Sequence, residues 1–203
     1  MKKIAFSFIA VIIFTMLLPA CKGTTNGKPE KDSTKTDTLW NAQVQNEFFD
    51  TQFGASKEEV INNFKKHGFT LEKRYSTDDV LLFNYTKSKY FTFGGMNWER
   101  LNLYLSNGKF FSIYFYSPQK DKAAAMGVYN GLEDAMSKKY KLTNKDLKDT
   151  TFYANKVAYG RNGCRALIVC QRYESVEREI FYSAGLQYSD TTLIDKNKVS
   201  DEL

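Results

Sequence analysis

Two Asn-Gly pairs constrain this chain more than any other feature. Asn107-Gly108 sits in "ERLNLYLSNGKFFSIYFY", and Asn162-Gly163 in "FYANKVAYGRNGCRALIVCQRY". Each pair lies between runs rich in apolar residues, many of them alternating with polar ones. Asn and Gly both accept positive φ, as a two-residue type I′ turn requires. The first pair therefore predicts a tight antiparallel hairpin, and the second pair marks another. In the first, strict pairing sets Leu105 against Phe110, Tyr104 against Phe111 and Leu103 against Ser112. One face then carries Leu101, Leu103, Leu105, Phe110 and Tyr114, and reads as core. The other carries Arg100, Asn102, Tyr104, Phe111, Ile113 and Phe115, half apolar and half polar. If nothing covers that second face, Tyr104, Phe111, Ile113 and Phe115 form an apolar patch of the kind that marks a partner surface.

A helix precedes each hairpin. In "FGASKEEVINNFKKHGF", Ser56 and Glu59 form a capping box. Val60, Ile61 and Phe64 share a face at helical spacing, and Gly68 supplies a left-handed stop. The spacing predicts a helix over about 57–67, ending at a water-facing His67. The second helix is expected to start at Ser117-Pro118, with Ser117 as N-cap and Pro118 at its first position. Met126, Tyr129, Leu132, Met136 and Tyr140 fall on one side of it. Gly127 and Gly131 either admit a close neighbour or simply weaken the helix, each by about 1 kcal/mol against Ala. The last strand is "REIFYSAGLQY", in which Ile180, Tyr182, Ala184, Leu186 and Tyr188 alternate. Aromatic residues make up 15% of the chain, which favours pleated, half-buried surfaces.

The expected fold is therefore α+β: a helix followed by an antiparallel β-meander, occurring twice, with helices on one face of the sheet. The globular part is set at 39–190, with units 46–117 and 118–190, and a polar tail at 191–203. This arrangement resembles the tandem helix-then-meander modules of the β-lactamase-inhibitor-protein-like fold. Gly54, Ser56 and Val60 are also similar to the "G-x-S/T-x-x-x-V" helix entry of small outer-membrane assembly lipoproteins. Both resemblances imply binding of a protein partner and assign no residue to it.

The N-terminus carries an address. Lys2 and Lys3 precede an apolar run from Ile4 to Leu18. A bilayer core needs about 20 apolar residues in a helix, and this run falls short, as a signal peptide does. Leu18-Pro19-Ala20-Cys21 resembles the bacterial lipobox. The resemblance implies cleavage between Ala20 and Cys21, a diacylglycerol on the Cys21 thiol and an acyl chain on the new amine. Two or more such chains hold a protein stably at a membrane. Lys22 after the Cys implies the outer membrane, and the missing acidic run implies a periplasm-facing anchor. Residues 1–20 are thus the signal, and 21–38, "CKGTTNGKPEKDSTKTDT", the lipidated Cys with a polar tether too apolar-poor to fold.

Charge and cysteine usage narrow the chemistry. Lys+Arg is 29 against 23 Asp+Glu, a net +6 that falls by two once Lys2 and Lys3 are removed. The basic residues are interleaved with acids, unlike the stripe of a nucleic-acid binder. Cys164 and Cys170 lie on one strand, about 20 Å apart by strand rise, too far to join; both are expected as buried free thiols. The single histidine gives no metal-ligand spacing and no base for a nucleophile, so no cofactor is expected. Asp78-Asp79 would point to opposite faces of a strand, and in a turn they are ordinary loop residues. The leading expectation is a non-enzymatic lipoprotein anchored to the membrane, binding a protein or envelope component. A small-ligand or glycan binder with a cleft of Tyr and Trp98 is the alternative. A carboxylate-pair hydrolase comes third.

Overall fold

The computed structural model describes residues 40–145, 151–174 and 179–194. Residues 1–39, where the signal, the lipidated Cys21 and the tether are expected, lie outside the described residues, as does the tail from residue 195. No described helix is long and apolar enough to cross a membrane. In chain order the elements are β1 (Trp40–Asn41), β2 (Glu47–Phe48), β3 (Thr51–Gln52), α1 (Lys57–Lys66), β4 (Phe69–Leu71), β5 (Val80–Tyr85), β6 (Phe91–Phe93), β7 (Met96–Trp98), β8 (Arg100–Ser106), β9 (Lys109–Gln119), α2 (Lys122–Ser137), β10 (Thr143–Asn144), β11 (Phe152–Gly160), β12 (Cys164–Glu174) and β13 (Ile180–Asp190).

The expectation of an α+β fold built from two helix-plus-meander units is corrected. Strand accounts for 50% of the described residues and helix for 18%, so the chain is mostly β. One large sheet runs in the order β1-β11-β12-β13-β9-β8-β5-β4, with β10 also paired to β11. It is mixed, because β1 runs parallel to β11. The supposed boundary between 46–117 and 118–190 vanishes because β13 pairs with β9 from Tyr182↔Gln119 to Ser189↔Ser112. Local alternation identifies strands, but pairing between strands far apart in the chain leaves no local mark.

The same strand overturns the expected helix start. β9 continues through Ser117 and Pro118 to Gln119. Asp121 is the true N-cap of α2, its Oδ1 accepting the amide of Ala124 at 2.8 Å. A proline in mid-sheet removes a ladder donor. Here β8 stops at Arg100, opposite Tyr116, so beyond that point β9 has lost its β8 neighbour and tolerates Pro118 as an edge would.

Where local chemistry decides, the sequence reading holds. Ser56 Oγ accepts the amide of Glu59 at 3.3 Å, and Val60 and Phe64 are the buried residues of α1. Gly68 takes φ +90 just past the helix, its amide donating to Lys65 O at 3.0 Å. Asn107 and Gly108 take φ 51 and 71, the left-handed pair of a type I′ turn. Arg161 to Gly163 form a three-residue loop instead, with only Gly163 left-handed (φ +78). His67 caps α1 and its Nε2 lies 2.8 Å from Asp50 Oδ2.

The main core lies between the sheet and a layer of α1, α2 and residues 44–53. Phe48 is its hub, in ring contact with Phe53, Phe93, Phe110, Phe115 and Tyr188. Phe93 stacks on Phe115 at 4.3 Å and 6°. From α2 the core takes Ala125, Tyr129, Leu132 and Met136, and Tyr140 just beyond the helix is buried with them. Gly127 and Gly131 admit no close neighbour. A Cβ at Gly127 would meet nothing within 4 Å, and one at Gly131 only Met96 Cε at 3.8 Å. Gly127 is exposed in the helix interior, so Gly127→Ala should stabilise the protein by about 0.5–1 kcal/mol through lost chain entropy in the unfolded state. Thermal unfolding should shift upward by about 1–4 °C. A lowered midpoint would show that this face of α2 is covered.

Candidate functional site

The period of two along each strand separates the sheet's faces. On β12, Ala166, Ile168 and Cys170 join the main core, so Leu167, Val169, Gln171 and Tyr173 point the other way. Leu167 and Val169 form a second, smaller cluster with Val157, flanked by Tyr114, Phe152 and Tyr159. Both described helices lie against the main core, so neither covers this outer face.

The four residues expected on that face divide. Tyr104 is on it and half-buried. Ile113 and Phe115 are 0% exposed and belong to the core. The cause is a β-bulge: Leu105 pairs with Phe110 as expected, but Tyr104 then pairs with Ser112 and Leu103 with Ile113. Phe111 is the extra, half-buried residue. One added residue exchanges the faces of everything beyond it.

Tyr114 and Tyr116 therefore replace Ile113 and Phe115 on the outer face, with rings stacked at 5.1 Å and 11°. Tyr114 Oη accepts from Gln171 Nε2 at 3.1 Å. Its ring lies over Gly185, where a Cβ would sit 2.3 Å from ring atoms, so only glycine admits it. Gln187 Nε2 donates to Ser112 Oγ at 2.9 Å, which in turn donates to Tyr188 O at 3.0 Å. Tyr173 stacks on Phe181 at 5.6 Å and 21°. Burial pushes the Tyr104, Tyr114, Tyr116 and Tyr173 phenols up, with Arg100 opposing it at Tyr116. They are neutral hydrogen-bonding groups at physiological pH. The buried Ser183 hydroxyl, on the same face, lies beside the Tyr114 phenol and opposes that rise.

The composition of this face departs from that of the chain. The outward positions of β5, β8, β9, β13, β12 and β11 hold no Asp or Glu, and their one Lys is Lys109 at the hairpin turn, opposite Ser106. Their other formal charges are Arg100 and Arg165. Depletion of Lys, Asp and Glu with enrichment of Tyr and Arg is the compositional mark of protein interface cores.

The other candidates fall elsewhere. Trp98 is fully buried, its Nε1 donating to Phe93 O at 3.0 Å, and lines no cleft. Cys164 and Cys170 are buried free thiols; burial pushes Cys164 up to about 11 and Cys170 upward. Both stay protonated and weakly nucleophilic. Lys57, 2.8 Å away, holds the Asp78 carboxyl below its usual range. A shallow depression of about 530 Å³ beside it is lined by Lys57, Leu71, Lys73, Ser76, Thr77, Asp78 and Leu81, away from the aromatic face. Among the described residues, no three His, Cys, Asp or Glu side chains gather as a metal site. No family model, curated protein or solved structure matches this chain.

Proposed function

We propose that this is a lipid-anchored envelope protein without catalytic chemistry, which binds a protein or envelope component through the outer sheet face. The observation that carries the reading is the composition of that face: Tyr104, Tyr114, Tyr116, Tyr173 and Phe181 gather on strands whose outward positions hold no Asp or Glu, with Glu99 at the rim beside Tyr116 and Tyr173. The "LPAC" ending of the apolar N-terminal run supports the anchor, and Lys22 supports the outer membrane. Stacked, pre-organised tyrosines lose little conformational entropy on contact, which suits them to anchor an interface.

A photo-crosslinker placed at Asn102, beside this patch, should capture a defined envelope component in intact cells. The Tyr104→Ala, Tyr116→Ala pair should weaken that capture by about 30-fold or more if both are hot spots. An unchanged set of crosslinked products from a folded double variant would refute the face. Mass analysis of the mature N-terminus tests the anchor: an unmodified Cys21, or cleavage elsewhere, would refute it.

A further inference from the structure

The described chain enters the sheet at a corner whose chemistry differs from that of the tyrosine face. Trp40 leads in on β1, is 47% exposed, and packs on Tyr159 at 5.6 Å. Asn41 ties this strand to two basic segments. Its side chain accepts the amide of Lys141 at 2.8 Å and donates to Lys141 O at 3.3 Å, and its carbonyl accepts the amide of Arg161 at 3.0 Å. Lys138, Lys139, Lys141 and Arg161 are all exposed there. Arg165, paired with Tyr159, adds a half-buried cation. Described acids near this corner include Asp134, one turn before Lys138 on α2, Asp190, whose Oδ1 accepts from Thr192 N and Oγ1, and Glu47, which is bonded to Gln52.

We infer that this corner docks on an anionic lipid surface, with Trp40 at the headgroup level and the lysines and Arg161 over the lipid charges. The inference rests on the anchor reading. Residues 22–39 join Cys21 to Trp40 and, fully extended, span no more than about 65 Å. Trp40 is the first described residue, so this corner is the part of the fold that Cys21 can bring to the bilayer with the least chain between them. Tryptophan favours the membrane interface because its ring is apolar and its N–H polar. Basic residues near an anionic leaflet each strengthen binding about fivefold, within a Debye length. β8, which carries Tyr104, lies four strand spacings from β11, about 19 Å away. Docking by this edge leaves the part of the tyrosine face on β8 and β9, with Tyr104, Tyr114 and Tyr116, free for a partner.

The two tryptophans make the test direct, because Trp98 is fully buried and Trp40 is not. The full lipidated protein is reconstituted into vesicles of phosphatidylethanolamine with phosphatidylglycerol, or of phosphatidylcholine alone, each carrying a brominated lipid. Emission should be quenched at least twofold more in the anionic vesicles. Molar salt should abolish that difference, and so should the Lys141→Glu, Arg161→Glu pair. The quenchable component should be missing from Trp40→Phe, which leaves the core untouched. Unquenched Trp40 in a protein that still floats with its vesicles would overturn the docking and leave the anchor standing. Equal quenching in neutral vesicles would overturn it too. An unacylated Cys21 would sink the anchor reading instead, and salt-sensitive quenching on added anionic vesicles would still decide the docking.

Discussion

Phe115→Ala is expected to lower the unfolding free energy by about 3–5 kcal/mol, and Tyr104→Ala by only about 1 kcal/mol. Strict hairpin pairing from Asn107-Gly108 sets these two residues on one face of one sheet, where their truncations would cost alike. The bulge at Phe111 separates them. Phe115 is fully buried, stacked on Phe93 and in ring contact with Phe48, Phe91 and Trp98. Removing its ring leaves a cavity among aromatic neighbours that cannot all close in. Tyr104 is half-buried on the outer face. Urea unfolding checks this, read as a shifted midpoint at constant slope. Equal losses would mean the register runs without a bulge. The result also governs how binding is tested. A partner lost in Phe115→Ala would report an unfolded domain, whereas one lost in a folded Tyr104→Ala variant reports the surface.

What could be read in advance was what neighbouring residues decide among themselves. Ser56 needs only Glu59 three residues on, Gly68 only the helix before it, and Asn107-Gly108 only their own φ angles. The failures share a different form. Pro118 resembles a helix start until the length of β8 is known, since only the end of that strand makes proline tolerable in β9. Two units were expected because nothing within β9 or β13 announces that they pair with each other. In "KFFSIYFY" the aromatic and aliphatic residues alternate too closely for hydropathy to choose a face. A single bulged residue then moved Tyr114 and Tyr116 out and Ile113 and Phe115 in. One signal could have flagged the tyrosines: Gly185 opens a space that a cross-strand ring fills.

Gly160→Ala is expected to cost about 2–3 kcal/mol, the upper range for crowding a packed site, and to loosen residues 40–45 before the rest of the sheet. A Cβ there would lie 2.3 Å from Asn162 Oδ1, 2.8 Å from the Val44 amide nitrogen and 3.0 Å from Val44 Cγ2. None of these can move cheaply. Asn162 clamps both backbone groups of Val44, accepting its N–H at 3.2 Å and donating to its carbonyl at 2.8 Å. The Val44 side chain is itself fully buried. Asn162→Ala alone should cost about 1–3 kcal/mol, since it strips Val44 of both partners. Combining the two should cost less than their sum, because the loss of Asn162 removes the nearest clash. Amide hydrogen exchange locates the damage: protection at Val44 and at Arg161, whose amide donates to Asn41 O, should fall first. Strictly additive costs, or protection lost uniformly across β8 and β9, would overturn the clamp. If it holds, Asn162 fastens the chain at Val44 while Asn41 and the β1–β11 pairing hold the strand that carries Trp40. Gly160→Ala should then also blunt the lipid-dependent Trp40 signal while leaving partner capture at the tyrosine face intact.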